Sequence, residues 1–260
     1  MMTLSITFLG TGTSVGIPVI GCDCAVCRSN DPRNHRRRAS LHVQAGKTSL
    51  VIDTSVDFRE QVLAYKVARI DAVLVTHSHA DHIFGLDDIR RFNTLQGTLI
   101  PVYGSPGTIM DLRRIFTYVD HNEPEPGVFR PRLKFSEIAG GFSVGGVAVE
   151  ALPVVHGRTE TYGYRLEYEG RTLGYVPDCK DMPETTVERF KGVDVMILDG
   201  LRHRTHPTHL TVQASVELLK RIGAKRSFLT HVAHDLDHEA TQESLPQGTY
   251  LACDGMTLSW

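Results

Sequence analysis

The sequence has no long hydrophobic run, almost no excess of either charge, a single tryptophan and only five cysteines. No apolar stretch approaches the ~20 residues that a membrane helix needs, which argues against a membrane-spanning protein. Residues 1–10 carry no positive segment and break at Gly10, too early for a secretory signal, so the expected location is the cytoplasm. Lys and Arg total 28 against 30 Asp and Glu, a formal net charge of -2. Such a balance offers no broad surface to nucleic acid or membrane. Low-complexity tracts, fixed-period repeats and Pro/Ser linkers are also missing, so residues 1–260 are expected to form one domain. Five cysteines cannot all pair, and three of them crowd together at Cys22, Cys24 and Cys27. In a reducing compartment such a cluster suggests metal rather than disulfide. Cys179 and Cys253 stand apart and read as small buried residues.

What is present is an alternation of short apolar runs with helix-like stretches, the pattern of an α/β protein with packed sheets. Strands are predicted over 5–9, 41–45, 49–53, 72–76, 147–155, 162–168, 172–176, 193–198, 226–230 and 257–260. Helices are predicted over 57–66, 86–95, 106–117, 183–190 and 211–222; in the last, Val212, Val216, Leu219 and Ile222 recur at three- and four-residue steps. The turn Glu169-Gly170-Arg171 should close a β-hairpin, and 122–131, rich in Pro, Glu and Gly, reads as a surface loop. Arg36-Arg37-Arg38, with Arg33 and His35 nearby, reads as a solvated loop, with contact to an anionic substrate as the alternative.

Four of the apolar runs end alike. Residues 72–76 lead into His77, 151–155 into His156, 173–177 into Asp178, and 227–230 into His231. Each is a buried-strand pattern followed by a residue type that binds metal, and strands feeding one rim of a sheet bring such residues together on a rigid frame. The strongest local signal is Thr76-His77-Ser78-His79-Ala80-Asp81-His82, with Gly85 just beyond. In a bent loop, His77 and His79 can reach one metal while Asp81 and His82 reach a second; imidazole and carboxylate suit Zn²⁺, Mn²⁺ or Fe.

At these residues the sequence resembles the metallo-β-lactamase superfamily, whose signature is His-x-His-x-Asp-His. The resemblance implies an α/β four-layer αββα sandwich with two divalent ions, zinc or manganese, at one edge between the sheets. It implies His77, His79 and His156 as ligands of the first ion and Asp81, His82 and His231 as ligands of the second, with Asp178 bridging both. The early Gly10-Thr11-Gly12-Thr13 turn and the Asp53 strand end match the same pattern. In the phosphodiesterase branches, a histidine placed like His209 is a catalytic acid or phosphate-stabilising group, so His209 and Asp81 are the catalytic candidates; His203 and His206 read as bland. The loop 21–28 with His234, three residues after His231, is similar to the phosphodiesterase subgroup of the carbon–phosphorus lyase pathway, which carries an extra structural zinc. Cys22, Cys24, Cys27 and His234 are the corresponding ligands.

The activity implied is a dinuclear metal-dependent phosphodiesterase acting on a small cyclic or linear phosphodiester. Leu210-Thr211 also resembles ribonuclease Z, which makes an RNA-processing endonuclease the alternative. No basic, glycine-rich insertion that would grip a tRNA body is apparent, and several Lys or Arg contacts to phosphate usually supply that affinity. A non-catalytic metal-bound scaffold is the third reading, and a homodimer is the default assembly.

Overall fold

Leu4, Ile6 and Phe8 are buried and alternate with half-exposed Ser5 and Thr7, the period of two that makes β1 (Leu4–Gly10) a strand with one face on the core. The computed structural model describes residues 4–119 and 129–260. β1 is followed by β2 (Ser40–Ala45), β3 (Thr48–Ile52), β4 (Ala72–Leu74), β5 (Ile100–Gly104) and β6 (Leu133–Glu137). The second half holds β7 (Phe142–Val144), β8 (Val147–His156), β9 (Thr159–Tyr168), β10 (Arg171–Val176), β11 (Val195–Asp199), β12 (Arg226–Thr230), β13 (Thr249–Leu251) and β14 (Thr257–Ser259).

These strands build two mixed sheets, ordered β14-β1-β2-β3-β4-β5-β6 and β13-β12-β11-β10-β9-β8-β7. In each, an antiparallel half adjoins a parallel half. One apolar cluster lies between the sheets, joining Leu4, Ile6, Leu41 and Leu50 of the first to Tyr164, Leu166, Tyr175 and Ile197 of the second. Helices cover the outer faces. α1 (Phe58–Ala64), α3 (Ile89–Gln96) and α4 (Pro106–Ile115) pack on the first sheet through Phe58, Phe92 and Leu112. α5 (Glu184–Phe190) and α6 (Val212–Ile222) pack on the second through Phe190, Leu219 and Ile222. The order is therefore αββα, as the family resemblance implied. Burying each such Leu, Ile or Phe contributes about 1.5–3 kcal/mol before chain entropy is charged against it.

The predicted hairpin forms: Tyr168 pairs with Arg171 across Glu169 (φ 48) and Gly170 (φ 75), two left-handed residues whose twist suits tightly joined strands. α6 is capped at both ends, by Thr211 accepting from Ala214 N and by Gly223 at φ 66. α2 (Ala80–Ile83), α7 (His238–Ser244), β5, β6, β7 and β13 were not foreseen. The loop expected at 122–131 falls largely on 120–128, outside the described residues.

The basic cluster is a correction to the sequence reading. Arg36 is 2% exposed, its side chain folded inward against Thr11, Ala252 and His238, while Arg37 and Arg38 are half-buried. Among the described residues no helix is long and apolar enough to cross a membrane.

Candidate metal centre

Strand direction places the candidate ligands. β10, β11 and β12 are parallel, and β8, two antiparallel steps from β10, runs the same way. Their carboxyl ends therefore share one rim, which carries His156, Asp178, Asp199 and His231. β3 and β4, parallel in the facing sheet, deliver Asp53 and the segment 77–82.

His77 Nε2 lies 2.9 Å from His79 Nδ1, and His156 Nε2 lies 3.4 Å from the same atom. On the other side, Asp81 Oδ2 is 3.2 Å from His82 Nε2 and 3.5 Å from His231 Nε2. Asp178 stands between the two groups and divides its oxygens. Oδ1 faces His82 and His231 at 3.3 and 3.4 Å, and Oδ2 faces His156 and His77 at 3.6 and 3.9 Å. All seven side chains that the sequence pattern named thus converge.

The donor set fits two cations. His82 Nε2, His231 Nε2 and Asp178 Oδ1 are buried and have no hydrogen-bond partner, an arrangement that costs free energy unless a positive group sits among them. Bonds of ~2.0–2.2 Å in a tetrahedron put neighbouring ligand atoms about 3.3–3.6 Å apart, the spacing found here. The charges point the same way. Burial opposes ionisation of Asp178, yet His231 and His82 outweigh it and hold the carboxyl well below its usual range. Burial holds His77 well below its ordinary value and His156 down to about 4, so both present neutral nitrogens.

The imidazoles of His82, His156 and His79 are aimed by a second contact, as ligating histidines are. Asp53, fully buried, accepts from Thr76 N (2.8 Å) and Thr76 Oγ1 (2.9 Å) and faces His82 Nδ1 at 2.8 Å. His156 Nδ1 donates to Thr208 O at 2.8 Å, and His79 Nε2 meets Thr159 Oγ1 at 3.2 Å. His231 is held by its backbone (Val232 N donates to Thr11 O) and by stacking on His209 at 4.8 Å and 12°. Asp53 (φ 62) and His231 (φ 58) both occupy the left-handed region, strain of about 1–3 kcal/mol each that tends to gather at functional sites.

His209 completes the rim. Its Nε2 is 3.9 Å from Asp178 Oδ2, and its Nδ1 is 2.7 Å from Asp199 Oδ2, which also accepts from Cys179 N. Asp199 has no exposed surface, and burial pushes its carboxyl well above the usual range. His206 lies 5.0 Å from His209, ring to ring, with Nδ1 turned to Thr208. Lys180 Nζ donates to His206 O at 2.7 Å and so fastens the loop bearing His209 to the loop bearing Asp178. Sequence reasoning missed Asp199 and gave Asp53 no role, although 49–53 and 195–199 are also apolar runs ending in a carboxylate.

The cysteine loop forms a separate group. Cys22, Cys24 and Cys27 Sγ lie 3.2, 3.5 and 3.5 Å from His234 Nδ1. For zinc with S at ~2.3 Å and N at ~2.0–2.1 Å, the tetrahedral S···N edge is about 3.6 Å, so these four also fit one ion. Cys179 is buried as expected, while Cys253 is half-exposed.

The chain matches the family model of the beta-lactamase superfamily domain over residues 48–232. It belongs to that superfamily. It is an enzyme, a metal-dependent hydrolase. Its structure is similar to the crystal structure of a diphosphatase from the PhnP family, with a TM-score of 0.91 and 39% identity over 100% of this chain and 98% of that one. The Zn²⁺-bound PqqB of Methylobacterium extorquens shares the fold at a TM-score of 0.79 and 22% identity, covering 98% and 99% of the two chains. In sequence the chain is 36% identical over 254 residues to an octanoyltransferase of Porphyromonas gingivalis; the match takes in 95% of this chain and spans 50% of the relative's length.

Proposed function

We propose that this hydrolase cleaves a doubly substituted phosphoryl group in a small molecule, a cyclic or linear phosphodiester, to give a phosphomonoester. The observation that carries the reading is the division of Asp178 between two ligand groups, with His209 at their edge. His77, His79 and His156 would hold one divalent ion, zinc or manganese, and Asp81, His82 and His231 the other. Bound there, two such ions would lower the pKa of a coordinated water and neutralise charge on phosphoryl oxygens.

The chain's own groups do the rest. Asp81 turns Oδ2 toward His82 and His231, leaving Oδ1 to accept a proton from the attacking water. Asp199 Oδ2 holds His209 Nδ1 and so aims Nε2 at the departing oxygen, to which it donates a proton. Cys22, Cys24, Cys27 and His234 would hold a structural zinc; free thiolates suit a reducing compartment, here the cytoplasm.

Similarity to a diphosphatase favours a second reading within the same chemistry, in which the leaving group is itself a phosphate, as in a disubstituted diphosphate. The test is hydrolysis of bis(p-nitrophenyl) phosphate, 2′,3′-cyclic nucleotides, dinucleoside diphosphates and precursor tRNA by enzyme loaded with Mn²⁺ or Zn²⁺. Turnover of small diesters but not tRNA is expected; cleavage of tRNA alone would establish the ribonuclease reading, and no turnover of any of them would overturn the phosphodiester reading. His209→Ala should lower kcat about 10²–10⁴-fold with both ions retained. Full kcat in that variant would remove the proposed acid.

A further inference from the structure

A cavity of about 440 Å³ opens between the loop 15–18, the segment 35–38 and Tyr65 at the end of α1, and none of the candidate metal ligands lines it. Its size falls in the ~300–1,000 Å³ range of small-molecule sites. One wall is apolar, formed by Ile17, Pro18 and the Tyr65 ring; the other is cationic.

The charges there do not balance. Arg38 is neutralised by Asp57 at 3.0 Å. Asp254 is engaged by Thr11 N, Thr11 Oγ1 and Arg37 N, and burial pushes its carboxyl up to about 6. Among the described residues the Arg37 guanidinium donates to the Tyr65 hydroxyl, at 3.4 Å, and stands in the field of Asp254. Behind the wall, Arg36 donates to Thr11 Oγ1 and Ala252 O and faces His238 Nδ1, all neutral acceptors, and its buried Nε has no partner. The lining thus carries three guanidinium groups, Arg36, Arg37 and Arg38, against two carboxylates, Asp57 and Asp254, an excess of one positive charge. An uncompensated cation beside a buried wall is costly, and an anionic ligand would offset it.

We propose that this cavity binds a small phosphate monoester of nucleoside monophosphate size, with the phosphate paired to Arg37 and the flat part of the ligand against Tyr65 and Pro18. A phosphate monoester is anionic at neutral pH, and Arg37 can meet two of its oxygens at once. The site is independent of the metal centre in composition, so it stands or falls apart from the proposed hydrolysis.

Equilibrium dialysis with radiolabelled AMP tests it, on metal-loaded enzyme, on Asp81→Asn, on Arg37→Glu and on Arg37→Ala. Wild type and Asp81→Asn should share one binding event, weakened at least tenfold in both Arg37 variants and absent with unphosphorylated adenosine. The Arg37 side chain donates one weak hydrogen bond among the described residues, so both variants should fold and hydrolyse bis(p-nitrophenyl) phosphate at the wild-type rate. Unchanged AMP binding in either folded Arg37 variant would overturn the proposal. So would loss of binding in Asp81→Asn alone, equal binding of adenosine, or no binding to wild type up to about 10 mM.

Discussion

Replacing Asp53 by Asn removes one charge and almost no volume, yet it should strip the ion from the group formed by Asp81, His82 and His231. Asp53 makes three contacts with a fixed sense: Oδ1 accepts from Thr76 N at 2.8 Å, while Oδ2 accepts from Thr76 Oγ1 and from His82 Nδ1 at 2.9 and 2.8 Å. With an ion bound, His82 would keep its proton on Nδ1 and offer a bare Nε2. An Asn that keeps Oδ1 on Thr76 N turns its NH₂ toward His82, whose Nδ1 must then accept, which moves the ring proton to Nε2, the ligand atom. The opposite amide orientation sets two donors, the NH₂ and Thr76 N–H, against each other in a fully buried place. Either way the loss should reach about 10–100-fold in metal affinity, the usual effect of removing such a partner, or about 1.4–2.8 kcal/mol at 1.4 kcal/mol per decade. His77, His79 and His156 do not bond Asp53 and should keep their ion. The assay is metal analysis after dialysis against graded chelator, with calorimetric titration of the weaker ion. Two ions held at wild-type affinity by Asp53→Asn would refute the argument that this carboxylate sets the His82 tautomer.

The other predictions concern the surroundings. Cys27→Ser should lose the tightly held zinc; an ion present at a thousandfold over its Kd adds about 4 kcal/mol, so unfolding should begin roughly 10 °C lower, and chelator-resistant zinc persisting after Cys22, Cys24 and Cys27 are all changed to Ser would disprove the site. Gly85→Ala should cost at least ~2–3 kcal/mol in thermal unfolding, because its Cβ would stand 2.2 Å from Ser55 O and 2.3 Å from Phe58 Cβ; a variant of wild-type Tm would contradict that packing. Burial, aided by Arg36 and Arg33, holds the His238 imidazole down to about 4 from its ordinary 6.5. The unfolded chain then takes up this proton first, so stability is lost as pH falls from about 6.5 toward 4, by at most ~1.4 kcal/mol per pH unit. Denaturant titrations should show a shallower slope over that window in His238→Gln, and equal slopes would rule the imidazole out.

The candidate ligands were legible because each is a rare residue type set directly after an apolar run, a pattern chance seldom repeats. Asp53 and Asp199 follow the same rule but were passed over, since a lone Asp closing a strand is also an ordinary turn residue. The strand predicted over 193–198 stopped one residue short of Asp199, which β11 includes. β5 was obscured by Pro101 and β6 by the charged Lys134 and Glu137. α7 has no apolar stripe and depends on its Asp237 cap, which accepts from Ala240 N. The inward turn of Arg36 was hidden for another reason: three consecutive arginines look solvated whichever way each one points, and only the packing of Thr11, Ala252 and His238 decides.

The distance along the chain between partners has a consequence for biosynthesis. Cys22 meets His234 across 212 positions, and His77 shares its carboxylate with His231 from the far end of the sequence. A ribosome must therefore release the chain through His234 before the cysteine group can close, and through His231 before the Asp81 and His82 group can. Until that late stretch follows, the emerging chain displays thiols and imidazoles that have nothing yet to grip.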